Sequence, residues 1–232
     1  MPHEVGVDYN GKPINSGERG GEIGNLMAAA GYDCAYGGKW HVPEMDIVEG
    51  HGFTKICGWN DWALADRCAE YLQASRKRPF FLVASFDNPH NICEHSRNQR
   101  LPWGPVPEVA VAECPNLPAN FEVPAYEPYL IKEERAKFPG YRFTEDEWRL
   151  YRHTYCRLVE KVDQEIARIL DALEKSCHAK DTLVIFTSDH GDGMGAHRWN
   201  QKWVLYDEST RVPLIIRPPG GCSADVDQEH LI

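Results

Sequence analysis

Asp189 and His190 stand side by side directly after the run Leu183-Val184-Ile185-Phe186-Thr187. A carboxylate and an imidazole adjacent at a strand end can share a divalent cation when further carboxylates complete the shell. Lys39 and Lys202 come from distant parts of the chain. Two ammonium groups meeting at one oxyanion would stabilise the charge that develops there as an ester is cleaved. His41 and His90 supply a proton donor and a hydrogen-bond partner for the same chemistry. Gly191, Gly193 and Gly195 follow at alternate positions. That spacing predicts a backbone able to take positive φ and to approach a ligand closely, with His197 and Lys202 turned back toward the strand end.

These residues need a scaffold that delivers them to one edge. Ile23, Leu26, Met27 and Ala30 mark one face of a short helix ended by Gly31, and Tyr32–Tyr36 then suits a strand that leads into Gly37-Gly38-Lys39-Trp40-His41. A second helix is predicted from Asn60, as N-cap, to about Arg76, followed by a buried strand over Pro79–Phe86 that ends in Asp87-Asn88-Pro89-His90. Residues 92–141 are Pro-rich and irregular, too long for an ordinary connection, and are expected to wall a binding site or run over the surface. Thr144 and Glu147 form a capping box that opens the longest helix, whose apolar face carries Tyr151, Tyr155, Leu158, Val159, Val162, Ile166, Leu170 and Leu173. That helix feeds the Leu183–Thr187 strand, which reads as buried on both faces of a parallel sheet. Val212–Ile216 is a last strand, near an edge because of Pro213. Helix, strand and polar loop occur three times in this order, which predicts an α/β layer fold with a mostly parallel sheet whose carboxyl edge binds the ligand.

Composition narrows the function. The 232 residues are 42% hydrophobic and 26% charged, an ordinary globular balance. A net charge of −10 argues against a nucleic-acid binder, so an anionic ligand would have to be met by a local cluster of Lys, Arg and His. The eight cysteines include no C-x-x-C pair, and Cys68 and Cys156 fall in helical patterns as small core residues. No run has the length of a membrane span, and Met1-Pro2-His3-Glu4 is not a signal peptide.

Taken together, Gly38-Lys39-Trp40-His41, Ser85-Phe86 with Pro89-His90, Thr187-Ser188-Asp189-His190-Gly191, Gly195-Ala196-His197, Lys202 and Tyr206 through Pro213 closely resemble the type I sulfatases. The resemblance implies an alkaline-phosphatase-like fold, a three-layer α/β sandwich around a mostly parallel central sheet. It also implies hydrolysis of a sulfate ester, possibly on a carbohydrate, with Ca2+ as the metal and a formylglycine made from Cys or Ser as the nucleophile. On that resemblance Lys39 and Lys202 grip the sulfate, and His41 contacts the nucleophile. His90 contacts the sulfate or protonates the leaving oxygen. Asp189 and His190 are metal ligands, and His197 and Arg198 are substrate-side contacts. The partner is a sulfated small molecule or sugar, and relatives are commonly exported or lysosomal.

The same resemblance places a pair of metal-binding aspartates and a C-x-P-S-R motif upstream of Gly38, and the 232 residues contain neither. Cys93-Glu94-His95-Ser96-Arg97 lacks the proline and follows the wrong strand. Residues 1–232 are therefore expected to be a partial, incomplete catalytic domain, with its motif-bearing core at about 20–219. Weak calcium binding and impaired turnover are expected with it. The alternatives are a phosphate or phosphonate ester hydrolase of the same superfamily, or a non-catalytic anion-binding remnant.

Overall fold

The computed structural model describes residues 22–41 and 48–227. The chain divides into two compact units, one of residues 1–107 and 154–173, the other of residues 108–153 and 174–232. Residues 1–20, rich in Gly, Asn and Pro and read from the sequence as a loop, lie outside the described residues.

In the first unit a three-stranded sheet runs in the order β2-β1-β3, all parallel, formed by β1 (Asp33–Gly38), β2 (Thr54–Cys57) and β3 (Phe80–Ser85). Alternation along β1 sends Cys34 and Tyr36 to one face and Ala35 and Gly37 to the other. Cys34 and Phe53 nucleate an aromatic layer on the first face, with Met27, Tyr36, Trp40 and Phe81 packed around them. On the second face lies α2 (Asp61–Gln73), which buries Leu64, Cys68 and Leu72. A side chain at Gly37 would strike Leu64 Cδ1 at 2.6 Å, so the glycine sets how closely this helix sits on the sheet. Burial pushes the Cys68 thiol up to about 12, as befits a core residue rather than a nucleophile.

The short helix α1 (Ile23–Ala29) occupies its expected place, and Gly31 takes the left-handed conformation at its end. Its apolar face differs from the expectation. Ile23 and Leu26 are exposed, and Gly24 is the buried residue. A Cβ at Gly24 would lie 2.2 Å from the His51 carbonyl and 2.4 Å from the Phe53 ring, so close backbone contact rather than bulk decides which way the helix faces. Asn60 precedes α2 as expected but makes no side-chain cap.

The opening turns of α5 (Glu145–Glu174) lie in the second unit. Thr144 and Glu147 close the expected capping box: Thr144 N donates to Glu147 Oε2 at 2.7 Å and Glu147 N donates to Thr144 Oγ1 at 3.3 Å. Trp148 and Tyr151 are fully buried, with Phe143 set edge-on to Trp148 at 5.3 Å. The 92–141 stretch holds two short helices, α3 (Ile92–Ser96) and α4 (Tyr129–Arg135), among irregular backbone. A short helix α6 (Asp207–Thr210) precedes the last strand.

The strand β4 (Val184–Thr187) departs from the expectation. It pairs antiparallel with β5 (Leu214–Arg217), and Ile185 is 56% and Phe186 38% exposed. A continuous apolar run marks a strand suited to two covered faces. Among the described residues, β5 is its one ladder partner.

Candidate functional site

Lys39, His41 and His90 line one cavity of about 520 Å³ in the first unit. Their placement starts at the end of β1. Gly38 has φ 96°, and a Cβ on it would lie 1.9 Å from the Ser85 carbonyl. Only glycine lets β1 and β3 stay paired to that last rung, where Lys39 N donates to Ser85 O at 2.7 Å. The Lys39 side chain is nearly buried, with Nζ 3.7 Å from Asp87 Oδ1, and the Tyr36 hydroxyl donates to the Lys39 carbonyl. His41 meets the Trp59 ring edge-on at 5.9 Å.

His90 sits on a turn whose backbone is held by a residue that the motifs did not single out. Asp61, buried at the first position of α2, accepts from Asp87 N at 2.8 Å and from Asn88 N and Nδ2 at 2.9 Å each. Asn88 Nδ2 also donates to Asn91 Oδ1 at 2.8 Å, and Asn91 Nδ2 to Asp87 Oδ2 at 2.9 Å. This closed network fixes the turn, and the positive end of α2 favours the Asp61 charge. The available signal was an aspartate directly after the predicted N-cap Asn60.

Asp189, His190 and Lys202 come together in the second unit. His190 Nδ1 lies 2.7 Å from the Gly191 carbonyl and therefore carries the proton. Nε2 is left as acceptor, 2.7 Å from Lys202 Nζ and 3.5 Å from Asp189 Oδ2. The Asp189 carboxylate is largely exposed and caps His190 N at 3.0 Å. Behind them Asp192 is buried and accepts from Met194 N and Tyr151 OH at 2.8 Å each, and from Gln201 N at 3.0 Å. Burial pushes its carboxyl above the usual range, and those hydrogen bonds pull it back only in part. Asp192 links the core helix to the residue before Lys202. In sequence it showed only as an aspartate between two glycines.

The alternate glycines act differently from the expectation. Only Gly195 of the three has positive φ. A Cβ at Gly191 would lie 1.9 Å from the Glu208 carbonyl, and one at Gly193 2.4 Å from the Trp199 carbonyl, so these two admit the chain's own backbone rather than a ligand. The left-handed positions fall instead on Met194, His197, Arg198 and Gln201, with φ between 51° and 68°. Such conformations cost about 1–3 kcal/mol each and gather at functional loops.

His197 and Arg198 are tied into the wall of this unit. The His197 ring lies 4.7 Å from that of Tyr206, and its carbonyl accepts from Arg135 Nη1 at 3.2 Å. Arg135 is itself buried in a two-pronged pair with Glu127, at 2.5 and 2.6 Å. The Arg198 guanidinium stacks over Phe121 at 4.6 Å and lies 3.6 Å from Glu122.

Among the described residues no three His, Cys, Asp or Glu side chains gather closely enough to hold a metal ion. Asp189 and His190 provide two donors, one of them facing a lysine, whereas calcium takes six or more oxygens. They do not by themselves make a calcium site, and the 232 residues contain no C-x-P-S-R nucleophile segment.

Comparison with known proteins defines the class first. A 2-O GAG sulfatase of known structure superposes with a TM-score of 0.79 at 27% identity, over 95% of this chain and 51% of that one. The Delta 4,5-hexuronate-2-O-sulfatase of Bacteroides thetaiotaomicron is 28% identical over 262 residues, covering all of this chain and 52% of the relative. The multifunctional alkaline phosphatase superfamily protein PehA of Trinickia caryophylli is 31% identical over 163 residues, 67% of this chain and 32% of that protein. The fold is thus the alkaline-phosphatase-like α/β fold. The sulfatase family model matches residues 3–231, and the chain belongs to the sulfatase family. It spans about half the length of the first of these relatives. Sulfatases generally use a metal ion and a formylglycine, and no helix among the described residues is long and apolar enough to cross a membrane.

Proposed function

We propose that this protein acts on a sulfate ester of a carbohydrate, with a 2-O-sulfated hexuronate as the substrate class. The observation that carries this is the cavity in which Lys39, His41 and His90 meet, in a chain whose family is sulfatase. Similarity to a Delta 4,5-hexuronate-2-O-sulfatase and to the structure of a 2-O GAG sulfatase supports the sugar.

In this assignment Lys39 neutralises a sulfate oxygen, which lowers the cost of the charge that builds as the ester bond lengthens. His90 holds a proton for the leaving sugar oxygen, and His41 stands against the attacking group. Asp61 keeps His90 in place through the Asp87–Asn91 turn. Asp189 and His190 would offer two donors to a metal ion, and His197 and Arg198 would offer contacts to a sugar. Calcium would supply Lewis acidity, and a formylglycine the nucleophile.

The test is release of inorganic sulfate from a 2-O-sulfated hexuronate disaccharide with calcium present. Release lowered at least about 100-fold by Lys39→Ala supports the assignment, the scale of losing one oxyanion donor. Faster hydrolysis of a phosphonate monoester than of the sulfate ester would favour the phosphonate hydrolase. Binding without any turnover would favour the anion-binding remnant.

A further inference from the structure

The cavity that holds Lys39 has a second wall, and its chemistry is not that of sulfate recognition. Glu94, on α3, and Asn88 both line it, and Glu94 Oε2 and Asn88 Oδ1 are buried oxygens with no hydrogen-bond partner. Both are acceptors. Sulfate brings no donor, so it leaves them unsatisfied, whereas a sugar hydroxyl brings one. Trp59 and Trp62 line the same cavity and are 46% and 52% exposed, large apolar faces of the kind that ligand pockets present around a few placed polar groups. The charges are unequal as well. Asp87 faces Lys39, and Asp61 is taken up by the turn before His90, which leaves Glu94 as the lining carboxylate with an oxygen, Oε2, that has no hydrogen-bond partner.

We infer that Glu94, with Asn88 and the rings of Trp59 and Trp62, forms the sugar-selecting wall of this cavity. It accepts a hydrogen bond from a free hydroxyl on the ring that bears the sulfate, and it repels a second sulfate at that position. Glu94 is a specificity-determining residue and takes no part in bond breaking. The inference rests on the sulfated-sugar assignment above, and it deepens that assignment by specifying a hydroxyl, not an anionic group, opposite Glu94.

Isothermal titration of the 232-residue chain and its variants tests this with inorganic sulfate and the methyl glycoside of a 2-O-sulfated hexuronate. The unsulfated glycoside and a disulfated counterpart complete the set. The wild type should prefer the monosulfated glycoside to inorganic sulfate. Glu94→Ala should weaken the glycoside about tenfold, the scale of one hydrogen bond to a charged group, and Trp62→Ala should weaken it through the lost apolar face, with no loss of inorganic sulfate in either. Glu94→Gln should keep the monosulfated glycoside and admit the disulfated one. Trp62 is exposed, so its variant is expected to fold if Glu94→Ala does not. Equal affinity of the wild type for sulfate and glycoside, or equal loss of both ligands in Glu94→Ala and Trp62→Ala, overturns the inference and leaves the sulfate assignment standing. Wild-type binding of the unsulfated glycoside as tight as that of the sulfated one overturns the sulfate assignment instead. Absence of binding by any of the four ligands overturns both.

Discussion

Asp61 carries three hydrogen bonds from the turn before His90, two of them from backbone N–H groups, while Asn88 Nδ2 is shared with Asn91. Asp61→Ala would leave two buried backbone N–H groups unpaired and is predicted to cost about 2–4 kcal/mol in urea unfolding. Asp61→Asn, which keeps one acceptor, should cost less. A loss below about 0.5 kcal/mol for the alanine variant would mean that the turn holds itself. At this scale Lys39, His41 and His90 were legible because their neighbours, Gly38, Trp40 and Pro89, form short motifs with fixed spacing. Asp61 and Asp192 were not, because each acts through contacts made only on folding, Asp61 with Asn88 and Asp192 with Tyr151. The Nε2 of His190, facing Lys202, was likewise beyond a reading of types and spacing.

Among the elements, α5 was the most legible, since its cap and its apolar period are local signals. Thr144→Ala is predicted to cost about 1 kcal/mol at neutral pH. The hydrogen bonds from Thr144 hold the Glu147 carboxyl below its ordinary 4.5. A lowered folded value makes this contribution present above about 4.5 and lost as pH falls through the lowered value. The gap in thermal midpoint between wild type and Thr144→Ala should therefore narrow in acid to the share held by the bond from Glu147 N to Thr144 Oγ1, which does not titrate, and a gap unchanged by acid would mean that the Glu147 carboxylate contributes nothing to it. The strand β2 was missed because Thr54-Lys55-Ile56-Cys57 is short and half polar, and only its parallel pairing with β1 makes it a strand. The face of α1 was misjudged for a related reason: spacing favours the large residues Ile23 and Leu26, while a close contact through Gly24 sets the orientation.

For the whole molecule, alternation of helix and strand gave the α/β class, and the three parallel strands of the first unit agree with it. The expected burial of β4 did not hold, because hydrophobicity records what a strand tolerates and not what covers it. The consequence is an uneven response to mutation. Leu64, fully buried against Gly37, should lose about 2–5 kcal/mol on truncation to alanine. Ile215, which is 60% exposed on β5, should tolerate lysine within about 0.5–1 kcal/mol while aggregation falls. Thermal melts and light scattering at matched concentration decide both, and a large loss of stability in Ile215→Lys would mean that this face is covered in solution.

The central claim is that the cavity lined by Lys39, His41 and His90 takes one sulfate group. Calorimetric titration of inorganic sulfate into wild type, Lys39→Ala and His90→Ala tests it most directly. One site per chain, weakened about tenfold or more by either substitution, is the predicted result. Sulfate bound as tightly by both variants as by the wild type would contradict it.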